Sequence, residues 1–240
     1  MENGNKDYGA EKRSPLWRHL IVGLSEYFGT TLLVFLSCVG CTFGIQGNVS
    51  SMHVSFTAGL AVAVAIQTFA HLSGALVNPS VTIAALVMGQ ITWTEVPTYL
   101  ITQVLGSLTG SGLHFVVTND DHLNDGVCVN LVNPSITVWQ ALAMETILSI
   151  ILNLAICASW DERNSDKLDS VSLRIGLLVV VLNLGAGAYT GASMNPSRSF
   201  GPAVFSGNYT DHWIYWVGPT LGALFAATVY RFILWRKITY

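Results

Sequence analysis

Six stretches of the chain stay apolar for about the length a lipid bilayer requires: residues 19–43, 53–71, 96–117, 137–159, 172–188 and 213–235. A hydrocarbon core of about 30 Å is crossed by about 20 apolar residues in a helix, and polar clusters punctuate the chain between the stretches. The pattern predicts six transmembrane helices forming one membrane domain over 19–235, with polar tails at 1–18 and 236–240. The first stretch is too long for the apolar region of a cleavable signal and lacks a small-residue cleavage pattern, so it is expected to remain in the mature protein. Composition agrees with this reading. Only 10% of the 240 residues are charged and 51% are hydrophobic, against about 25% charged in soluble domains.

Charge then orients the spans, because short cytoplasmic loops retain Lys and Arg. Lys6, Lys12, Arg13 and Arg18 precede the first span, Arg163, Lys167 and Arg174 surround the loop between the fourth and fifth, and Arg231, Arg236 and Lys237 end the chain. All ten fall on one side if both termini are cytoplasmic, and the eleventh basic residue is Arg198. The loop between spans three and four carries Asp120, Asp121 and Asp125 and no basic residue, as an outer loop can. Two glycosylation sequons, at Asn48 and Asn208, also fall outside, and each is equally well a plain surface loop. The net charge of −3 points to no partner class.

The chain also repeats itself. Ser73-Gly74-Ala75-Leu76-Val77-Asn78-Pro79-Ser80 returns as Thr190-Gly191-Ala192-Ser193-Met194-Asn195-Pro196-Ser197, an offset of 117 residues (195 − 78). Glu26 in span one and Glu145 in span four are 119 apart (145 − 26), and Gly106 and Gly222 are 116 apart (222 − 106). Three landmarks in one order at nearly one offset define two three-span units, about 19–117 and 137–235. With three spans per unit, the second enters the membrane from the opposite face, giving an inverted repeat.

Each Asn-Pro is followed by a short apolar segment, 80–88 and 197–205. Nine or ten helical residues rise about 15 Å, half of the bilayer core. Each segment therefore reads as a re-entrant half-helix with proline in its first turn. The expected fold is an all-α membrane protein of six transmembrane helices and two half-helices that meet N-terminus to N-terminus near the midplane. Such irregular backbone at membrane depth belongs around a watery cavity or inside protein.

That geometry selects the candidate residues. Asn78, Pro79, Asn195 and Pro196 would form a central constriction, with two positive helix ends around one point. Asn133-Pro134-Ser135 lacks the preceding Ser/Thr-Gly-Ala and reads as a turn. Arg198, on the first turn of the second half-helix, is a costly charge at that depth and should face a cavity or a partner. Glu26 and Glu145 could relay protons or accept the bare N–H groups of the dipping loops, and their occurrence once per repeat favours the structural role. His71 stands at the cytoplasmic mouth, either lining a pore or capping its helix. Gly106, Gly110, Gly112 and Gly222 suit close helix crossings. Cys38, Cys41, Cys128 and Cys157 show no zinc-like pairing and read as packing residues. No metal site, cofactor, nucleic-acid site or nucleophile with a base is found, so no enzymatic activity is expected.

At these residues the chain resembles the major intrinsic protein (aquaporin) family over about residues 17–235. The resemblance rests on the doubled motif, on Glu26 and Glu145, on Asn195-Pro196-Ser197-Arg198-Ser199-Phe200-Gly201 and on His212-Trp213-Ile214-Tyr215-Trp216-Val217-Gly218-Pro219. It implies an hourglass fold in the cell membrane and a homotetramer with one pore per subunit, open to water or small neutral solutes and closed to ions and protons. Both boxes depart from the family by ending in Ser80 and Ser197, where alanine is usual.

The resemblance also implies a second, outer constriction formed by Ala58, Asn183, Ala192 and Arg198. Water-selective members carry Phe and His at the first two positions, so two rings are replaced here by smaller side chains. Glycerol, and urea with it, are then expected to pass. Ser199, Ala203, Tyr215 and Trp216 instead match the water-type pattern, and the combination resembles an insect glycerol-transporting branch related to water-type aquaporins. A strictly water-selective channel is the alternative. A secondary transporter would share the inverted repeat but needs titratable groups at its centre, and an adhesion role would need a dedicated outer surface.

Overall fold

The computed structural model describes residues 14–42, 50–118 and 128–235. Among them, six helices are long and apolar enough to cross a membrane: α1 (Pro15–Cys41), α2 (Ser51–Ser73), α4 (Val96–Val117), α5 (Val138–Ser159), α6 (Val171–Thr190) and α8 (Ile214–Val229), the last reaching span length as Ile214–Leu234 with the turn that follows it. Two shorter helices follow the Asn-Pro pairs, α3 (Pro79–Met88) and α7 (Pro196–Ser206). A 3₁₀ turn at Glu162–Lys167 joins α5 to α6, and a π-helical turn at Tyr230–Leu234 extends α8. The architecture is the expected one of six spans and two half-helices.

Local chemistry sets the boundaries. Ser14 accepts the Trp17 N–H and Pro15 occupies the first turn, so α1 starts four residues before the expected boundary at 19. The extra turn carries Arg18, which pairs with Glu95 at 2.9 Å. Polar residues within the last turn before the membrane had masked this start. Gly74 and Gly191 end α2 and α6 with φ of 87° and 75°, a left-handed cap that any side chain would strain. Asn78 and Asn195 cap the half-helices, accepting the Ser80 N–H at 2.8 Å and the Ser197 N–H at 3.0 Å.

Within each repeat the first and third long helices pack together, α1 on α4 and α5 on α8, while α2 and α6 cross between the repeats. The half-helices are exchanged: α3 packs on α8 and α7 on α4, each against the last helix of the other repeat. Close approach depends on missing side chains. A Cβ on Gly106 would stand 2.5 Å from the Tyr27 carbonyl oxygen, and one on Gly222 would stand 2.5 Å from that of Thr146. The α2–α6 crossing uses Gly59 and Gly176 in the same way, each against the other's carbonyl oxygen. Long apolar side chains such as Leu20, Ile101, Ile147 and Phe225 face outward, as a lipid-embedded surface requires.

Candidate functional site

Two loops descend from the ends of α2 and α6 to the half-helices, and both run through left-handed backbone at residues that are not glycine. Ala75 and Val77 have φ of 47° and 42°, and Ala192 and Met194 have 46° and 53°. Such conformations cost about 1–3 kcal/mol each unless the surroundings over-determine them. The buried carboxylates do so. Glu26 accepts the Leu76 N–H at 2.9 Å and the Val77 N–H at 2.7 Å, and Glu145 accepts the Ser193 N–H at 2.9 Å and the Met194 N–H at 2.8 Å. Ser73 and Thr190 add a hydroxyl donor each at 2.6 Å. Both carboxylates are fully buried and their oxygens face these donors.

With the loops held in this shape, the capping asparagines reach across to each other's loop. Asn78 Nδ2 donates to the Met194 carbonyl at 3.0 Å, and Asn195 Nδ2 donates to the Val77 carbonyl at 2.9 Å. Ser80 Oγ adds a further bond to Met194 O at 3.1 Å, which the alanine usual in this position could not make. The N-termini of α3 and α7 thus converge. Asn133 similarly accepts the Ser135 N–H at 2.9 Å, but it caps no helix, since α5 begins only at Val138, so it is the expected turn.

A cavity of about 500 Å³ runs past this junction. Its lining includes His71 toward one mouth, Asn78 and Asn195 in the middle, and Ala58, Asn183, Ala192 and Arg198 toward the other. Ala58 and His71 both lie on α2, thirteen residues apart, or about 20 Å along the axis. Apolar residues, among them Val62, Ile66, Leu152 and Val179, make up much of the wall between them. Ala58, His71, Asn78, Asn183, Ala192, Asn195 and Arg198 therefore line one cavity, while Pro79 and Pro196 are buried in the first turns of α3 and α7 and are not part of its wall. Asn208 lies on the loop after α7 and accepts the Thr210 N–H at 3.1 Å, while Asn48 falls outside the described residues.

The Arg198 end of the cavity has features that the sequence reading missed. Arg198 Nη1 donates to the Cys128 carbonyl at 2.7 Å and to Asn130 Oδ1 at 2.9 Å. Asn130 is buried, also accepts Ser199 Oγ at 2.8 Å, and donates to the Gly191 carbonyl at 3.0 Å. Asn183, also on the cavity wall, turns its Nδ2 back to Val179 O at 3.2 Å. Two of the four cysteines are more than packing residues, because Cys38 and Cys128 form a disulfide that ties the α4–α5 segment to α1, while Cys41 and Cys157 are free thiols. Nothing periodic links positions 90 apart, so spacing could not reveal it.

The repeat did contain other unread signals. Tyr99 and Tyr215, 116 apart (215 − 99), donate to the Ser73 and Thr190 carbonyls at 2.7 and 2.9 Å, closing the ends of α2 and α6. The first repeat adds Gln103, which donates to Glu26 at 2.8 Å and to Thr82 at 2.9 Å. Its counterpart in the second repeat is absent, and Ser199, which corresponds to Thr82, is turned instead toward Asn130.

Comparison with known proteins agrees with this architecture. The family described as "Major intrinsic protein" matches residues 12–230. The human lens fiber major intrinsic protein is 35% identical over 227 residues, covering 95% of this chain and 85% of that protein. Mouse aquaporin-4 is 39% identical over 215 residues, covering 88% of this chain and 66% of that one. Among solved structures, the aquaglyceroporin from Plasmodium falciparum superposes with a TM-score of 0.80 at 26% identity, covering 90% of this chain and 97% of that chain. Members of the family are membrane channels for water and small solutes and not enzymes. With the paired Asn-Pro half-helices, the six spans and the cavity that runs past their junction, this chain belongs to the major intrinsic protein family, the aquaporins.

Proposed function

We propose that this protein is a passive channel for water and small uncharged carbon-bearing solutes, glycerol and urea among them, and that it excludes ions and protons. The observation carrying the reading is the filter wall opposite Arg198. Ala58 and Asn183 line the cavity there, and neither has an aromatic ring. A polyol can then lay its carbon skeleton along the apolar side while its hydroxyls accept from the guanidinium and donate to Asn183 Oδ1, offsetting the cost of leaving water. Likeness in fold to an aquaglyceroporin is consistent with this.

In the same reading, residues 19–235 form the channel domain of a homotetramer in the cell membrane, with both termini cytoplasmic. The Cys38–Cys128 disulfide supports that orientation, because disulfides persist on the oxidising side of a membrane. The test is paired water and radiolabelled glycerol uptake in oocytes at matched surface expression. Water flux without glycerol flux would favour a strictly water-selective channel, the alternative reading.

A further inference from the structure

Three sulfurs collect where α1 ends beside the outer filter. Cys38 and Cys41 stand one turn apart in Cys38-Val39-Gly40-Cys41, and Cys38 is bonded to Cys128. Cys41 is a free, half-buried thiol. Its sulfur and that of Cys128 lie 3.9 and 3.5 Å from the same atom, Arg198 Nη2. The backbone carbonyl of Cys128 and the side chain of Asn130, two residues on, are also the acceptors that hold Arg198 Nη1. The disulfide therefore anchors the segment that positions the filter cation, and a second thiol waits within reach of the same cation.

We propose that Cys38, Cys41 and Cys128 form a thiol–disulfide exchange site in which Cys128 passes between the two α1 cysteines and shifts the acceptors of Arg198 with it. Cys41 loses its proton, and its thiolate attacks Cys128 Sγ. The Cys41–Cys128 bond forms as the Cys38–Cys128 bond breaks, and Cys38 leaves as a thiolate that takes up a proton. One disulfide and one thiol stand on each side of the step, so no oxidant or reductant is consumed. The guanidinium beside both sulfurs offers a counter-charge to the attacking thiolate. Cys41 lies three residues along α1, about 4.5 Å from Cys38 along the axis. Moving the anchor that far draws Cys128 and Asn130 toward the outer end of α1 and loosens their hold on Arg198.

The coupling to permeation rests on the filter assignment proposed above, but the exchange itself is read without any transport measurement. The experiment maps disulfide linkages by mass spectrometry of acid-quenched, alkylated peptides from purified protein equilibrated with glutathione redox buffer. Wild type is expected to yield both linkages, Cys41→Ser only Cys38–Cys128, and Cys38→Ser a Cys41–Cys128 peptide. A folded Cys38→Ser protein with Cys41 and Cys128 both alkylated overturns the exchange. Should that variant fail to fold, the lack of any Cys41–Cys128 peptide from wild type overturns it equally. In vesicles, the glycerol-to-water permeability ratio of Cys38→Ser should differ from that of Cys41→Ser by at least about twofold. Equal ratios with both linkages verified overturn the coupling to the filter. If neither variant passes glycerol, the solute reading fails on its own, and water permeability, expected to differ by the same factor, decides the coupling.

Discussion

Asn195 donates an amide hydrogen to the Val77 carbonyl oxygen at 2.9 Å, so the second half-helix is tied to the loop of the first at the midpoint of the cavity. Its Oδ1 is taken by the Ser197 and Arg198 N–H groups, as Asn78 Oδ1 is by the Ser80 N–H. What remains for a passing molecule is one N–H from each amide, a donor with no acceptor beside it.

Exclusion of protons follows from that arrangement. A water at the junction can only accept from Asn78 and Asn195, which interrupts a donor–acceptor chain, and the converging N-termini of α3 and α7 together with Arg198 add positive potential. Water flux is therefore expected without proton or cation current. Voltage clamp across a pH gradient checks this, and a reproducible proton current proportional to surface expression would refute it.

The two buried carboxylates make a contrasting prediction. Glu26→Gln or Glu145→Gln replaces an oxygen that accepts backbone N–H groups with an amide on one side, so a donor faces donors in a buried site. Each buried group left unpaired costs about 1–3 kcal/mol, and the left-handed loops lose the partner that holds them. Lower thermal stability and poor delivery to the membrane are expected, with unchanged selectivity in whatever protein folds. Normal surface levels combined with altered selectivity would instead place these carboxylates in the conduction path.

The crossing of α2 and α6 is similarly exacting. A Cβ on Gly176 would lie 2.6 Å from that of Ala63 and 2.7 Å from the Gly59 carbonyl oxygen, and backbone cannot give way as a flexible side chain can. Gly176→Ala should destabilise the protein by about 1–3 kcal/mol, the usual cost of overpacking. A detergent melting curve matching wild type would show that the helices separate without penalty.

These features differ in how far the sequence disclosed them. The half-helices were legible because Asn78 and Asn195 recur at one offset with the same preceding residues, and a repeated backbone path needs repeated side chains. Gly59 with Gly176 and Tyr99 with Tyr215 carry the same offset signal, diluted by the many small and aromatic residues of any membrane helix. Asn130 and the Cys38–Cys128 pair were not legible. They belong to an irregular segment whose partners on α1 and α7 are set by tertiary packing, and neither has a counterpart in the other repeat. The inherited asymmetry between Thr82 and Ser199 marks the place where the two halves diverge, and it is beside Arg198.

Asn130 gives that divergence a measurable consequence. Asn130→Ala removes an acceptor from Arg198 and from Ser199 and a donor from Gly191 O. Stability should fall by about 1–3 kcal/mol, and the freed guanidinium should change the ratio of glycerol to water permeation. Paired flux assays on the reconstituted variant test it. A stability loss with an unchanged ratio would mean that the Cys128 carbonyl alone positions Arg198.

The solute assignment itself turns on the opposite wall. Ala58 ends at its methyl group, and Asn183 folds its amide nitrogen back to Val179 O, so neither narrows the passage facing Arg198. Adding bulk should act on the wider solute first, because a water molecule needs only a single-file gap, whereas a polyol must bring its carbon skeleton through beside the guanidinium. Ala58→Phe combined with Asn183→His is therefore expected to cut glycerol flux at least about tenfold, a barrier increase of about 1.4 kcal/mol, while water flux falls much less. Ala58 is half-buried and lines the cavity, so the ring can enter open space without displacing the helix. The readout is paired water and radiolabelled glycerol uptake in oocytes at matched surface expression. If the double variant keeps its glycerol flux, the narrowest point lies elsewhere along the cavity. If wild type has none to lose, the two missing rings have no bearing on selectivity and the channel is specific for water.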